Sequence, residues 1–332
     1  MTTRNISLAS IDAARERVYR VARRTPMVRL DPVSREWPEI YLKLEVFQPI
    51  GSFKIRGAAN AIGKLSADEM QNGVWTVSAG NAAQGVALAA REAGVKASVL
   101  VMDTAPAAKV NAIRRLGATI VQASYDVCWQ AVESHASDRV TGRMVHPFDD
   151  DDFISGNGTA GLEILEDLPD VDAVIAAVGG GGLLAGLGCV IKAKKPGTRI
   201  IAAEPETAAP LSASFAAGSA QRFPAWKPSF VDGAGGKSVL TTMWPLMQEF
   251  VDESIVVSLD DTAAAMKMAA ERCHVIAEGA GACAVAAALS ATVRDRGYKK
   301  VVAVVSGGNI DLSRFAEIIG ACHARHDKAR SL

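Results

Sequence analysis

Three kinds of residue in this chain sit where chemistry could be done: a lysine early in a helix, glycine-rich loops after strands, and a serine closing an apolar strand. The segment Glu45-Val-Phe-Gln-Pro-Ile-Gly-Ser-Phe-Lys-Ile-Arg-Gly57 predicts a turn at Pro49 and Gly51, an N-cap at Ser52, and Lys54 in the first turn of the next helix. The positive end of the helix dipole disfavours an ammonium there, which helps if the amine must be neutral to attack an aldehyde. A surface lysine whose head reaches water is the other reading of the same position.

In Val77-Ser-Ala-Gly-Asn-Ala-Ala-Gln-Gly85 a strand ends, Gly80 permits close backbone approach, and a helix begins near Ala82. The free amides of such a helix start suit a carboxylate or a phosphate. Asn81 either caps this helix or hydrogen-bonds a phenolic oxygen of a ligand. Val178-Gly-Gly-Gly-Gly-Leu-Leu-Ala-Gly186 follows another strand. Four consecutive glycines are costly to order and make no side-chain contact. Such a run suits backbone amides gathered around an anion, most often phosphate. It also satisfies Gly180-x-Gly182-x-x-Ala185, and Glu204 ends the next strand where a ribose-binding acid would sit. A nicotinamide oxidoreductase is therefore a second hypothesis. Ser306 closes the apolar run 301–305 ahead of two glycines, where its hydroxyl can face a ligand or satisfy a backbone carbonyl.

The elements that must position these loops follow from the alternation of short β-branched runs with Ala-rich stretches. Strands are predicted over 74–77, 97–102, 119–122, 173–178, 199–203 and 300–305, with helices over 83–93, 109–116 and 183–193. Strand-helix repetition of this kind predicts a doubly wound α/β fold, whose ligands gather beyond the carboxyl ends of the strands. The acidic run 149–152 is a domain boundary or a solvated turn. Lys plus Arg equals Asp plus Glu, 36 each, which points away from nucleic acid and anionic membranes as partners. No apolar run approaches the ~20 residues of a membrane span, and the polar start of the chain lacks a signal peptide's apolar segment. The cysteines at 128, 189, 273, 283 and 322 form no Cys-x-x-Cys pair, so a reducing, cytoplasmic setting is expected. A thiol or metal site at Cys322-His-Ala-Arg-His326 is possible from the residue types, with solvated surface as the plainer reading.

Taken together, the loops resemble the fold type II pyridoxal-phosphate enzymes, specifically the threonine/serine dehydratase and serine racemase group. Gly-Ser-Phe-Lys-Ile-Arg-Gly-Ala has the dehydratase form of the lysine motif, and Ser-Ala-Gly-Asn with Ala-Gln-Gly matches the substrate loop. His146-Pro-Phe-Asp-Asp precedes Gly156-Asn-Gly-Thr159 as in the family, the tetraglycine matches the phosphate loop, and Ser306-Gly-Gly-Asn matches the pyridine-nitrogen site.

The resemblance implies a two-lobed α/β enzyme, each lobe an open, mostly parallel sheet flanked by helices. A large cofactor domain would comprise 1–45 plus 149–332, and a small domain with the substrate loop 46–148. It implies pyridoxal 5′-phosphate carried on Lys54, with Phe53 beside the ring and Asn81 on the phenolic oxygen. Gly179, Gly180, Gly181, Gly182 and Leu183 would hold the phosphate, Ser306 the ring nitrogen, and Glu278 would lie near the cofactor, although Gly279 departs from the commoner proline. Ser78, Ala79, Gly80, Asn81 and Ala82 would bind the substrate.

The implied reaction is an ammonia-lyase's: loss of the β-hydroxyl and then the amine of L-threonine or L-serine, giving a 2-keto acid and ammonia. A larger or more specialised substrate (phenylserine, hydroxyaspartate or one derived from hydroxyectoine) is the alternative. Ala79 replaces the serine that racemases of the group carry before Gly-Asn, so racemisation is expected to be poor. Glu204 matches the group's metal-binding glutamate, but Pro210 replaces a frequent second carboxylate, so cation dependence is expected to be weak. A homodimer without an appended regulatory domain is expected.

Overall fold

The computed structural model describes residues 4–31 and 37–330, with side chains as far as Ala321. Its strands are β1 (Met27–Arg29), β2 (Glu39–Leu44), β3 (Val74–Val77), β4 (Ala97–Met102), β5 (Thr119–Ala123), β6 (Arg143–Met144), β7 (Ala173–Ala177), β8 (Arg199–Pro205), β9 (Glu253–Val257) and β10 (Lys300–Val305). They form two sheets, and the chain divides into two compact units. The first unit takes Met1–Arg24, Phe47–Glu163 and Gly180–Lys194; the second takes Thr25–Val46, Ile164–Gly179 and Lys195–Leu332.

The first unit is built on the parallel sheet β5-β4-β3-β6. Every residue of β3 is buried, as expected for a strand covered on both faces. The helices Lys54–Gly63 and Asn81–Glu92 pack closely because Gly85 carries no side chain: a Cβ there would sit 3.0 Å from the Lys54 carbonyl. A buried ion pair ties the first of these helices to the helix Asp151–Asp167. Arg56 Nη1 and Nη2 donate to the two oxygens of Glu163 at 2.7 and 3.0 Å, and neither side chain is exposed to solvent. Tyr19 donates to the same carboxylate at 2.6 Å.

The second unit carries the six-stranded sheet β1-β2-β10-β7-β8-β9, parallel except for β1 against β2. β10 lies inside it, and Val301 to Val305 are wholly buried. The helix Gly279–Ala288 is buried at every position. Its small residues admit close approach, since a Cβ on Gly281 would lie 2.8 Å from the Gly307 carbonyl.

The predicted strands are all present, with differences of one or two residues at their ends. The acidic run is neither a solvated turn nor idle. Asp150 accepts from the amides of Asp152 and Phe153, both at 2.9 Å, and so caps the start of the helix Asp151–Asp167. Asp149 is buried and paired with Arg4 at 2.7 Å. Among the described residues, no helix is long and apolar enough to cross a membrane.

Candidate active site

Lys54 is the first residue of its helix, as the sequence predicts, but the helix does not start as predicted. Ser52 is not the N-cap. Gly51 turns the chain with a φ of 68°, Phe53 is already helical, and Arg56 N–H bonds back to the Phe53 carbonyl at 2.9 Å. The Ser52 hydroxyl is left buried without a partner. The Lys54 amine turns inward, donating to the buried Pro147 carbonyl at 2.5 Å. It lies 5.2 and 5.5 Å from the ring centres of Phe53 and Phe153. No carboxylate pairs with it among the described residues. Burial without a counter-charge pushes the amine down to about 8. These contacts favour the reading of a desolvated, readily deprotonated amine over the solvated one.

Pro147 is held in a turn made by its neighbours. His146 is buried, and its Nδ1 accepts from the amides of Asp149 at 2.7 Å and Phe148 at 3.3 Å. Its Nε2 faces the Val132 carbonyl at 3.2 Å, so Nε2 carries the proton. Burial, and secondarily His135, lower the imidazole to about 3, so it stays neutral. Phe148 then reaches the glycine run. A Cβ on Gly180 would collide with its ring, and one on Gly182 would sit 2.8 Å from its carbonyl. Gly181 adopts a φ of 90°, which a side chain resists. Gly179, in the second unit, would meet the Gly233 carbonyl at 2.9 Å. Each glycine therefore has its own steric reason.

The run also presents donors. Gly181 to Leu184 are buried, and among the described residues no protein acceptor takes the amides of Gly180, Gly181, Gly182, Leu183 or Leu184. These amides open the helix Gly182–Lys194, where an anion is stabilised both by donors and by the dipole. Asn157 steadies the loop by donating to the Gly182 carbonyl at 3.3 Å, and its own Oδ1 is buried and unpaired.

The loop after β3 is arranged similarly. Ser78 Oγ accepts from the Gly80 amide at 3.1 Å, and Gly80 takes the N-cap position of the helix Asn81–Glu92. Asn81 is the first helical residue, which removes the capping alternative. Ala82 and Ala83 keep amides without a protein acceptor among the described residues. A Cβ on Gly80 would meet nothing within 4 Å, so this loop borders open space next to the partly exposed Ala79.

In the second unit, Ser306 ends β10 only 5 % exposed, and its hydroxyl makes no hydrogen bond among the described residues. That disposes of the backbone-satisfying alternative. Glu278 is buried, and its amide donates to the Gly307 carbonyl at 3.0 Å. Glu204 is engaged elsewhere. Its carboxylate accepts from the amides of Leu211 and Ser212 at 2.7 and 2.8 Å and from the Ser254 hydroxyl at 2.7 Å. It thus caps the helix Pro210–Ala217, leaving the dinucleotide reading without its acid. The side chains of Cys322, His323 and His326 lie outside the described residues. Arg56, Phe148 and His146 are the positioning residues to which sequence reasoning gave no role. Their motifs are visible in the sequence, but the partners they hold lie far along the chain.

A desolvated amine that gives up its proton readily, a set of buried donors without acceptors and an unpaired hydroxyl are the partners an aldehyde, a phosphate and a pyridine nitrogen require. The residues fit pyridoxal phosphate. Comparison with known proteins agrees. The L-threonine ammonia-lyase of Thermotoga maritima is 40% identical over 317 residues, 95% of this chain and 78% of that protein. A catabolic L-threonine dehydratase of Staphylococcus aureus is 36% identical over 96% of this chain and 93% of its own. The solved structure of maize serine racemase superposes with a TM-score of 0.88 at 34% identity, covering 97% of this chain and 99% of that one. The family described as pyridoxal-phosphate dependent enzyme matches residues 18–307, and this chain belongs to it.

Proposed function

We propose that the chain is an ammonia-lyase that dehydrates and deaminates a small β-hydroxy amino acid, L-threonine or L-serine, to a 2-keto acid and ammonia. The observation that carries this reading is the Lys54 amine, desolvated to about 8 and paired with no carboxylate among the described residues, within a dehydratase-type motif. The named activities of the Thermotoga and Staphylococcus relatives support it.

When bound, pyridoxal phosphate supplies an electron sink for the substrate's Cα. The chain supplies the rest. Lys54 would be the cofactor's anchor and the base nearest the Cα proton, with the Pro147 carbonyl to orient its amine. The amides of Gly179 to Leu183 take the phosphate, Asn81 the phenolic oxygen and Ser306 the ring nitrogen, with Phe53 and Glu278 beside the ring. Ser306, a neutral hydroxyl, cannot hold a positive ring nitrogen as a carboxylate would, so charge on the substrate is less stabilised and prompt loss of the β-group is favoured. Ser78, Ala79, Gly80, Asn81 and Ala82 form the substrate loop, with the unpaired Ala82 amide available to the carboxylate.

A homodimer in the cytoplasm, with 46–148 as its smaller domain, completes the proposal. The described cysteines Cys128, Cys189, Cys273 and Cys283 form no disulfide with one another, which is consistent with a reducing compartment.

Ala82 stands where dehydratases of this group carry histidine, which predicts tolerance of a larger β-substituent. The loop 78–85 contains no Arg or Lys for a second carboxylate. Release of keto acid and ammonia, measured across threonine, serine, phenylserine and hydroxyaspartate, tests the reading. Turnover of threonine or serine with phenylserine accepted is the expected pattern. A strong preference for hydroxyaspartate would overturn the reading of Ala82, and no keto acid from any of the four would overturn the lyase.

A further inference from the structure

We propose that His146, which no role in the reaction yet accounts for, is the positioning residue that sets both the Lys54 amine and the shape of the glycine loop. One buried imidazole makes three hydrogen bonds in a fixed sense. Nδ1 accepts from Phe148 and Asp149, and Nε2–H donates to Val132. Between the anchored ring and the anchored amides lies Pro147, whose carbonyl accepts from the Lys54 amine at 2.5 Å. The next residue, Phe148, fills the space that side chains at Gly180 and Gly182 would need. A single turn thus links the reactive amine to the amides of the glycine run.

The electrostatics require a neutral ring. A protonated imidazole would present Nδ1–H to two amide donors and lose both bonds. The titratable groups that bear on the ring are His135, stacked at 4.4 Å, Asp149, and Lys54 itself. Asp149 is also held by Arg4 at 2.7 Å and lies 3.4 Å from His135.

The inference rests on Lys54 being the cofactor's anchor, and its test separates the two ideas. The variants are His146→Asn, whose Oδ1 can replace Nδ1 as the acceptor, and His146→Gln, whose amide can replace the Nε2–H donor but not that acceptor. Two quantities are read on apo-protein: the Kd for pyridoxal phosphate, and the pH midpoint for borohydride trapping at Lys54, mapped by peptide. Wild type should show a midpoint near 8. His146→Asn should stay within about threefold of wild type in Kd. His146→Gln should lose about tenfold or more, because a displaced carbonyl misplaces the amine it orients, and its midpoint should move toward that of ordinary lysine. Equal losses in both variants, or none in His146→Gln, would overturn the assignment. Trapping at a lysine other than 54 would instead sink the anchor. Should neither variant fold, imidazole nitrogen NMR on wild type decides: a neutral Nε2–H ring for His146 at pH 6 is required, and a protonated or Nδ1–H ring refutes the proposal.

Discussion

At the scale of single residues, the chain places a lysine where folding alone would not. An ammonium that is desolvated, set at a helix N-terminus and left without a carboxylate is costly, and the cost has a pH signature. The native amine titrates near 8 and the unfolded one near 10.5. Below pH 8 the native state carries the penalty in full. From pH 8 to 10.5 the native amine has lost its proton while the unfolded chain still holds one, so stability rises with pH. Apo Lys54→Met should therefore melt higher than apo wild type at pH 7, with the gap closing by pH 10.5, and the same variant supplied with pyridoxal phosphate should lack the wild-type visible absorbance and nearly all turnover. Thermal melts across that range check it, and a Met variant no more stable at pH 7 would mean the amine is solvated. Ala79 makes the opposite kind of statement, since a methyl group cannot return a proton to the substrate's other face. D-serine formed from L-serine should be far below keto-acid release, and comparable amounts measured by chiral chromatography would refute it.

At the scale of elements, the glycine run and the helix carrying Lys54 are each set by partners distant in sequence. Gly180→Ala should weaken cofactor binding because its Cβ meets the Phe148 ring, and adding Phe148→Ala should recover part of the loss by making room. A titration of cofactor into both apo-proteins measures this. A Gly180→Ala variant with wild-type Kd would mean the ring simply moves aside. The buried Arg56–Glu163 pair predicts a second asymmetry. Arg56→Leu leaves a carboxylate uncompensated and should cost about 3–5 kcal/mol, whereas Arg56→Met with Glu163→Leu should recover most of it. Denaturant unfolding of the single and double variants tests this, and additive losses would contradict it. These cases mark what was legible. The strands of β-branched residues and the loops after them could be read locally, and so could Lys54 and the tetraglycine. β2 could not, because Lys43 interrupts its apolar run; the structure buries that amine against the Thr25 carbonyl at 2.6 Å. Nor could the parts of His146, Phe148 and Arg56. Their partners lie along the chain at 132, 180–182 and 163, and no local pattern encodes a contact of that range.

At the scale of the whole molecule, stability against acid follows from buried groups that resist changing charge. His146 is depressed to about 3 in the native state against 6.5 when unfolded. Between those values the unfolded chain takes up a proton that the native chain refuses, so stability present above pH 6.5 drains away as pH falls toward 3. Glu204 and Asp150 act in the other direction. Burial raises both carboxyls, so they bind protons in the native state before they would in the unfolded chain. Their penalty, present at neutral pH, is relieved as pH falls through their raised native values. The two effects oppose each other below neutrality, and wild type alone cannot separate them. His146→Asn removes the titrating ring while keeping an acceptor for the Phe148 and Asp149 amides. Its melting temperature should therefore fall less steeply than that of wild type between pH 6.5 and 4. Glu204→Gln should do the reverse, steepening the decline, because it deletes a group that gains stability on protonation. Parallel melting curves for wild type and His146→Asn over that interval would show that the ring is already protonated in the folded protein, which the paired amides at its Nδ1 do not allow.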